Sequence, residues 1–247
     1  MKILALDSSG LVASVAVVED DGVNSSLLAE YTVNYKKTHS QTLLPMLDEI
    51  ARMIELDLNT IDAIAVAAGP GSFTGLRIGS ATAKGLGLAL DKPLVHVPTV
   101  DALAYNLYGT DRVICPLMDA RRNQVYTGIY EFRNNELSVI EPQMAVGIEV
   151  IAGKLRALGR EVVFLGDGVP VFRKALMEEL MQGMDFSFAP AHLNKQRAGA
   201  VAALAVSYVR AGKIETAAEH RPDYLRPSQA ERERAEKEAR EKAEKAK

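Results

Sequence analysis

The sequence predicts an α/β protein built from two similar lobes. Apolar, β-branched segments alternate with segments whose apolar residues recur at helical spacing, which is the pattern of α/β proteins. Segment 3–19 can also be laid over 115–131 without gaps, so that Asp7 meets Asp119. Each copy reads apolar strand, aspartate, short polar turn and second strand, which indicates an internal duplication. The length of 247 residues suits two such lobes.

The first lobe is assigned to residues 1–110. It opens with a predicted hairpin, KILALD and ASVAVVED around a Ser-Ser-Gly turn. A helix is predicted over 39–56, because Leu43, Leu47 and Ile50 recur on one face. The apolar run IDAIAVAA predicts a buried strand, which leads into the glycine-rich turn GPGS and a further helix.

The second lobe is assigned to residues 111–227, and a charged tail to 228–247. After the repeated hairpin, the lobe contains a strand and glycine turn, EVVFLGDGV, and two helical runs, VFRKALMEEL and AGAVAALAVSYVRAG. The tail alternates acidic and basic residues with alanines and has no apolar seam. We expect a solvated helix there, with contact to tRNA or another protein as the alternative.

Composition and charge narrow the class of protein. The formal net charge is only −3, which gives no reason to expect strong sequence-independent binding to nucleic acid by this chain alone. The single cysteine, Cys115, cannot form an internal disulfide, which suits a reducing compartment. The sequence contains no apolar run of membrane-spanning length and no signal-peptide pattern at its start. We therefore expect a cytoplasmic protein that does not enter a membrane.

The turn in AGPGSFTGLRIG is not a phosphate-binding loop of a standard kind. A P-loop ends in Gly-Lys-Ser or Gly-Lys-Thr, and this turn lacks that ending. The dinucleotide pattern G-x-G-x-x-G fails at its third glycine, where Thr74 stands. Backbone N–H groups around Gly71 and Ser72 could still attract an anion at the start of the following helix.

The helix after this turn carries a ridge with almost no side chain. Gly75, Gly79, Ala83 and Gly87 follow one another at intervals of four. Each interior glycine costs about 1 kcal/mol of helix stability relative to alanine, so the three require a compensating contact. Close packing of another element against the ridge would supply it. That element is either the sheet of the same lobe or a partner protein.

Five motifs together resemble one family. LALDSSG, THSQTLLP, AGPGSFTGLRIG, DARRNQVY and PDYLR occur in the order found in the bacterial TsaB (YeaZ) family, and the resemblance covers residues 1 to about 227. It implies the duplicated fold of the actin-like, sugar-kinase and heat-shock-protein ATPase superfamily. It also implies a role in forming threonylcarbamoyladenosine (t6A) on tRNA, through pairing with the paralogous transferase TsaD and with TsaE as a further partner.

The resemblance implies that helices of the two N-terminal lobes pack together in that pairing. It maps the interface onto the helix from 39 and the bare ridge, with the same surface available for a homodimer when the chain is alone. Contact with tRNA would then be indirect, through the complex. The predicted interface residues are His39, Leu43, Leu47, Ile50, Phe73, Gly75, Leu76, Gly79, Ala83 and Gly87.

The resemblance also implies that this chain lacks the chemistry of TsaD. TsaD-like proteins bind a metal through a His-x-x-x-His pair, and Thr99 and Leu103 stand at the matching positions here. His96 is the only histidine near them, and the other three are scattered, so no metal site is predicted. The interpretation is a pseudoenzyme with no catalytic residues.

The nucleotide site also departs from the superfamily pattern. The phosphate-side candidates of the first lobe are Asp7, Ser8, Ser9, Gly71 and Ser72. In the second lobe, arginines follow Asp119 where glycine would let backbone N–H groups reach a phosphate. Arg121 and Arg122 could bind an anion instead, or pair within the chain.

We therefore expect no tightly bound cofactor, and only weak binding of ATP or ADP, by the chain itself or at the interface of the complex. The alternative functions are an ATP-dependent small-molecule kinase with Asp7 or Asp119 as its base, and a metallopeptidase-like enzyme, against which the missing histidine pair argues.

Overall fold

The protein folds around two five-stranded sheets of identical strand order. The computed structural model describes residues 1–36 and 38–226. The first sheet has the order β3-β2-β1-β4-β5 and the second β8-β7-β6-β9-β10. In each sheet the first three strands are antiparallel and the last two run parallel to the central strand. No helix in the described part of the chain is long and apolar enough to span a membrane.

The two halves repeat the same series of elements, three strands followed by a helix, a strand, a helix, a strand and a helix. The first series is β1 (Lys2–Asp7), β2 (Ala13–Asp20), β3 (Ser25–Val33), α1 (His39–Met53), β4 (Ala63–Gly69), α2 (Phe73–Leu90), β5 (Leu94–Pro98) and α3 (Thr99–Tyr105). The second is β6 (Val113–Asp119), β7 (Gln124–Arg133), β8 (Glu136–Gly147), α4 (Ile148–Leu158), β9 (Val162–Leu165), α5 (Val169–Ala175), β10 (Phe186–Phe188) and α6 (Ala198–Arg210).

This repetition confirms the predicted duplicated α/β fold. Asp7 and Asp119 are the last residues of equivalent central strands, as the gapless alignment requires. The turns that follow differ by one residue, because Asp7 faces Ser14 on β2 whereas Asp119 faces Val125 on β7. The predicted charged tail at 228–247 lies outside the described residues.

Each half of the chain contributes one helix that packs on the sheet of the other half. Helix α6, from the second half, packs on the first sheet, where Val201, Ala202 and Ala205 join the apolar cluster of Ile3 and Val95. Helix α3, from the first half, packs on the second sheet through Val100, Leu103 and Ala104. The layers are therefore α1 and α2, the first sheet, α6 with α3, the second sheet, and α4 with α5. The sequence boundary at 110 falls between α3 and β6.

The apolar face of α1 is part of the core of the first lobe. Leu43, Leu47 and Ile50 are buried together with Leu4 and Leu6 of the central strand. The helical face predicted from sequence spacing is confirmed. Its assignment to a partner interface is wrong, because the sheet of the same lobe covers these three side chains.

The bare ridge of α2 also faces its own lobe. A Cβ on Gly75 would overlap the carbonyl oxygen of Ser8, and a Cβ on Gly79 would lie 2.5 Å from the Ser8 hydroxyl oxygen. A Cβ on Gly87 would lie 2.5 Å from a methyl group of Leu94. The ridge is therefore bare because the turn after β1 and the start of β5 approach it, and its assignment to a partner surface is wrong. Leu76 and Ala83, predicted in the same interface, are buried as well.

The two kinds of glycine on α2 predict opposite effects of the same substitution. Gly75→Ala places a methyl group against backbone, and we expect it to destabilise the protein by about 1–3 kcal/mol. Gly85→Ala, on the same helix with open space around the new Cβ, should stabilise it by up to about 1 kcal/mol. Urea unfolding of both variants checks this, and equal effects would show that the packing of the ridge has been misread.

Candidate functional site

The candidate site is a cleft between the lobes, at the ends of the two central strands. Its volume is about 730 Å³. The first lobe lines it with the turn after β1 and the glycine turn before α2, and the second lobe with the turn after β6 and Asp167. Residues 223–226 of the C-terminal segment line it as well. Of the predicted anion contacts, Ser9, Gly71, Ser72 and Arg121 are brought together here.

Asp7 lies buried beneath this cleft. Its Oδ1 accepts hydrogen bonds from the backbone N–H and the hydroxyl group of Ser9, at 2.9 and 2.7 Å. Burial raises the pKa of Asp7 to about 6, although these hydrogen bonds act in the opposite direction. Asp7 and Ser8 are both almost inaccessible to solvent, so the structure does not place these two predicted side chains on the wall of the cleft.

The glycine turn is fastened to the turn after β1. The hydroxyl of Ser8 donates to the carbonyl oxygen of Gly75 (2.9 Å), and the backbone N–H of Ser72 donates to the carbonyl oxygen of Ser9 (2.6 Å). The Ser72 hydroxyl caps α2 by accepting from the N–H of Gly75. Several of the groups expected to receive an anion thus already hold the two turns together.

The second lobe ends its central strand in a strained turn. Arg121, Arg122 and Asn123 all have left-handed backbone angles, with φ of 63°, 54° and 59°. Such conformations cost non-glycine residues about 1–2 kcal/mol each. Arg121 repays part of this cost through Asp119, which accepts its backbone N–H at 2.8 Å and pairs with its guanidinium at 3.0 Å. Arg121 is therefore paired within the chain.

The Gly-Asp-Gly turn at 166–168 packs on this strand. A Cβ on Gly166 would overlap the carbonyl oxygen of Leu117, so only glycine fits there. Asp167 accepts a hydrogen bond from the backbone N–H of Asp119 at 3.3 Å. Burial, and to a smaller extent the charge of Asp119, raise the pKa of Asp167. The carboxylate of Asp167 is thus buried beside the cleft and fixed in position by the backbone of Asp119.

The C-terminal segment, residues 213–226, crosses the first lobe and lines the cleft with its last four residues. The backbone N–H of Asp223 donates to the carbonyl oxygen of Ala68, and Nη1 of Arg226 donates to that of Ala120 at 2.6 Å. Tyr224 packs on Phe73 with ring centroids 4.8 Å apart, and Arg77 lies 4.0 Å above the Phe73 ring. Sequence reasoning used PDYLR only as a motif and missed this bridge, since its partners are more than 100 residues away.

His39 and Phe73, the remaining predicted interface residues, also line the cleft. His39 Nε2 lies 2.8 Å from the carbonyl oxygen of Gly10, and Phe73 is covered by Tyr224 and Arg77. Neither presents its whole side chain to a partner.

Comparison with known proteins decides the family. The family model described as "TsaD: tRNA N6-adenosine threonylcarbamoyltransferase" matches residues 26–234. A Bacillus subtilis (strain 168) protein described as "tRNA threonylcarbamoyladenosine biosynthesis protein TsaB" is 35% identical over 234 residues, covering 94% of this chain and 96% of the relative. The chain belongs to the TsaB family. An Escherichia coli (strain K12) TsaB is 34% identical over 68% of this chain and 72% of its own.

A solved member of the TsaB family has the same architecture. The structure described as "YeaZ from Pseudomonas aeruginosa" superposes with a TM-score of 0.75 at 28% identity, covering 91% of this chain and 99% of that one. The predicted family is therefore confirmed over nearly the whole chain.

The positions that match the histidine pair of TsaD are buried here. The hydroxyl of Thr99 accepts the backbone N–H of Gly69 at 3.0 Å, and Leu103 lies in the core beneath α3. A threonine committed to a backbone hydrogen bond and a leucine do not supply the two imidazoles of that pattern.

The raised pKa of Asp7 predicts a pH-dependent cost to stability. Because its pKa is about 6 in the fold and 3.8 in the unfolded chain, the carboxyl favours folding at low pH, and stability falls as pH rises through 6. Asp7→Asn should therefore stabilise the protein by about 3 kcal/mol at pH 8 and have little effect near pH 4. Urea unfolding at both pH values measures the difference, and a gain independent of pH would contradict the assignment.

Proposed function

We propose that this chain is a non-catalytic subunit in the formation of threonylcarbamoyladenosine, the modification of the tRNA adenosine next to the anticodon. It binds and supports the TsaD transferase, with TsaE as a further partner. The observation that carries the proposal is the match to TsaB relatives along nearly the whole chain, combined with the match to the TsaD family model. A paralogue of the transferase is well suited to pair with it.

The arrangement of the cleft supports a non-catalytic role. Asp7 is buried under Ser9, and Asp119 is engaged by Arg121, so both aspartates that could act as bases are held by neighbouring groups. The C-terminal segment lines the same cleft with Tyr224 and Arg226. We therefore propose that no cofactor is bound tightly and that ATP or ADP binds only weakly, or at the interface of the complex.

The outer surface of α1 and α2 is our candidate for the partner interface. Their inner faces are buried, but each helix also exposes a large apolar side chain, Leu44 on α1 at 53% and Leu88 on α2 at 73%. Gly85 lies on this side with open space around it. Exposed apolar side chains on neighbouring helices are typical of protein interfaces. In the absence of TsaD the same outer surface would support a two-fold homodimer.

In this proposal the protein works in the cytoplasm and meets tRNA only through the assembled complex. The formal net charge of −3 agrees with an indirect contact, because direct binding to the phosphate backbone depends on clustered positive charge.

Reconstitution tests the proposed function directly. Threonylcarbamoyl transfer to unmodified tRNA is measured with TsaD, TsaE and the adenylate donor constant, with and without this chain. We expect transfer to depend on the chain, and Asp7→Asn to support it as well as the unchanged protein does. Transfer that is unaffected by omission of the chain would refute the proposal.

The partner surface is tested by a matched pair of exposed substitutions. Leu88→Glu should weaken binding to TsaD by about 10-fold or more, because a charge replaces an apolar contact at the interface. Val171→Glu, at a 59% exposed position in the second lobe, is the control and should bind normally. Both should keep the melting temperature of the unchanged protein. Equal binding by the two variants would place the interface elsewhere.

A kinase-like ATPase is the alternative, favoured by the cleft of about 730 Å³ and by the raised pKa of Asp7. Calorimetry with ATP and Mg²⁺ separates the two functions. Micromolar binding by the isolated chain that is lost in Asp7→Ala would support the alternative.

A further inference from the structure

Two histidines and a glutamate converge where the C-terminal segment crosses β5. His96 lies on β5, and Glu215 is tied to the start of that strand by two backbone hydrogen bonds with Leu94, at 2.8 and 2.9 Å. His220 follows five residues after Glu215. One ligand atom from each of the three side chains lies within 4.8 Å of the other two. The cluster is separate from the cleft, whose lining includes neither histidine.

Each of the two histidines has one ring nitrogen that faces Glu215, the inner nitrogen, and one that faces away from it, the outer nitrogen. Nδ1 of His220 and Nδ1 of His96 lie 2.7 and 3.8 Å from the same oxygen, Oε1 of Glu215. On the outer side, Nε2 of His96 lies 3.0 Å from a carboxylate oxygen of Asp223, and Nε2 of His220 lies 2.9 Å from the hydroxyl of Ser80. Each ring thus has an oxygen partner on the nitrogen that faces away from Glu215.

Oxygen partners on the outer nitrogens, such as Asp223 and Ser80, typically fix the ring orientation and the tautomer of histidines that bind a metal. When Nε2 carries the proton and donates it to Asp223 or Ser80, the lone pair of Nδ1 is left on the side of Glu215. In that tautomer a cation between the two lone pairs and the carboxylate takes the place of the proton that Nδ1 of His220 would otherwise donate to Glu215. His220 is fully buried, so its ring is held in place beside Glu215 by the surrounding packing.

We propose that His96, Glu215 and His220 bind a divalent transition metal of the zinc class. Two imidazole nitrogens and one carboxylate oxygen are a donor set that Zn²⁺ accepts, with water completing the coordination. Bound there, the metal clamps the C-terminal segment to β5, three residues upstream of Asp223, where the segment begins to line the cleft. The proposed metal site rests neither on the proposed partner surface nor on the proposed support of the transferase.

The test uses the full chain after dialysis against a chelator. Calorimetric titration with Zn²⁺ should show one equivalent bound, and Zn²⁺ should raise the melting temperature. Replacement by Co²⁺ should give the visible absorption of cobalt with nitrogen and oxygen ligands. We expect His96→Ala and Glu215→Gln, both at partly exposed positions, to lose the bound equivalent and the stabilisation.

A matched control and a graded variant complete the design. His192→Ala removes an exposed histidine of the second lobe and should bind as the unchanged chain does. Asp223→Asn leaves all three ligands in place and should weaken affinity by about 10- to 100-fold, as is typical when the partner of a metal-binding histidine is changed. The proposal is overturned if the unchanged chain binds no Zn²⁺ at micromolar concentration. It is equally overturned if His96→Ala retains the full equivalent, since the metal would then be bound elsewhere.

Discussion

The structure depends on the close approach of the turn after β1 to the first half of α2. The carbonyl oxygen of Ser8 occupies the space that a side chain on Gly75 would fill, and its hydroxyl oxygen reaches the same helix at Gly79. The missing side chains cost the helix about 1 kcal/mol each, and the hydrogen bonds from Ser8 and Ser72 offset that cost. This junction brings the end of the central strand, the glycine turn and the start of the helix to one place, and the cleft opens there.

Polar and charged groups around the cleft are engaged with one another within the chain. They hold the neighbouring turns in place. Ser9 binds Asp7, Arg121 binds Asp119, and Asp167 accepts the N–H of Asp119. The second lobe reaches this state through three successive left-handed residues, a strain that persists only where the surroundings enforce it. The ends of both central strands are thus held by contacts within the chain.

Much of the fold follows from local pattern in the sequence, and the orientation of its surfaces does not. The two hairpins, the buried strand β4 and the duplication with Asp7 and Asp119 at equivalent ends were predictable from alternation and repeats. Periodicity also identified which residues of α1 and α2 share a face. Periodicity could not say what covers a given face of a helix. Gly75 and Gly85 look alike in the sequence, but Gly75 lies against backbone and Gly85 faces open space. A partner was therefore assigned to surfaces that the lobe fills itself.

Contacts between distant segments were hidden from the sequence for a related reason. Tyr224 against Phe73, and His220 beside His96, join residues more than 100 positions apart, and no spacing rule connects them. The sequence assigned the C-terminal segment to the second lobe, residues 111–227. Its backbone hydrogen bonds to Ala68 and Leu94 make it part of the first lobe.

The exchange of α3 and α6 between the lobes affects how the chain can reach its native state. A fragment that stops near residue 110 lacks α6. One side of its sheet, including Ile3 and Val95, is then exposed to solvent. That fragment also carries α3 without the sheet that shields it. Neither half is a self-sufficient folding unit, although both contain the same series of strands and helices. During synthesis the second side of the amino-terminal sheet is covered only after α6, at residues 198–210, has been made. Until then the nascent chain exposes an apolar surface to which chaperones can bind.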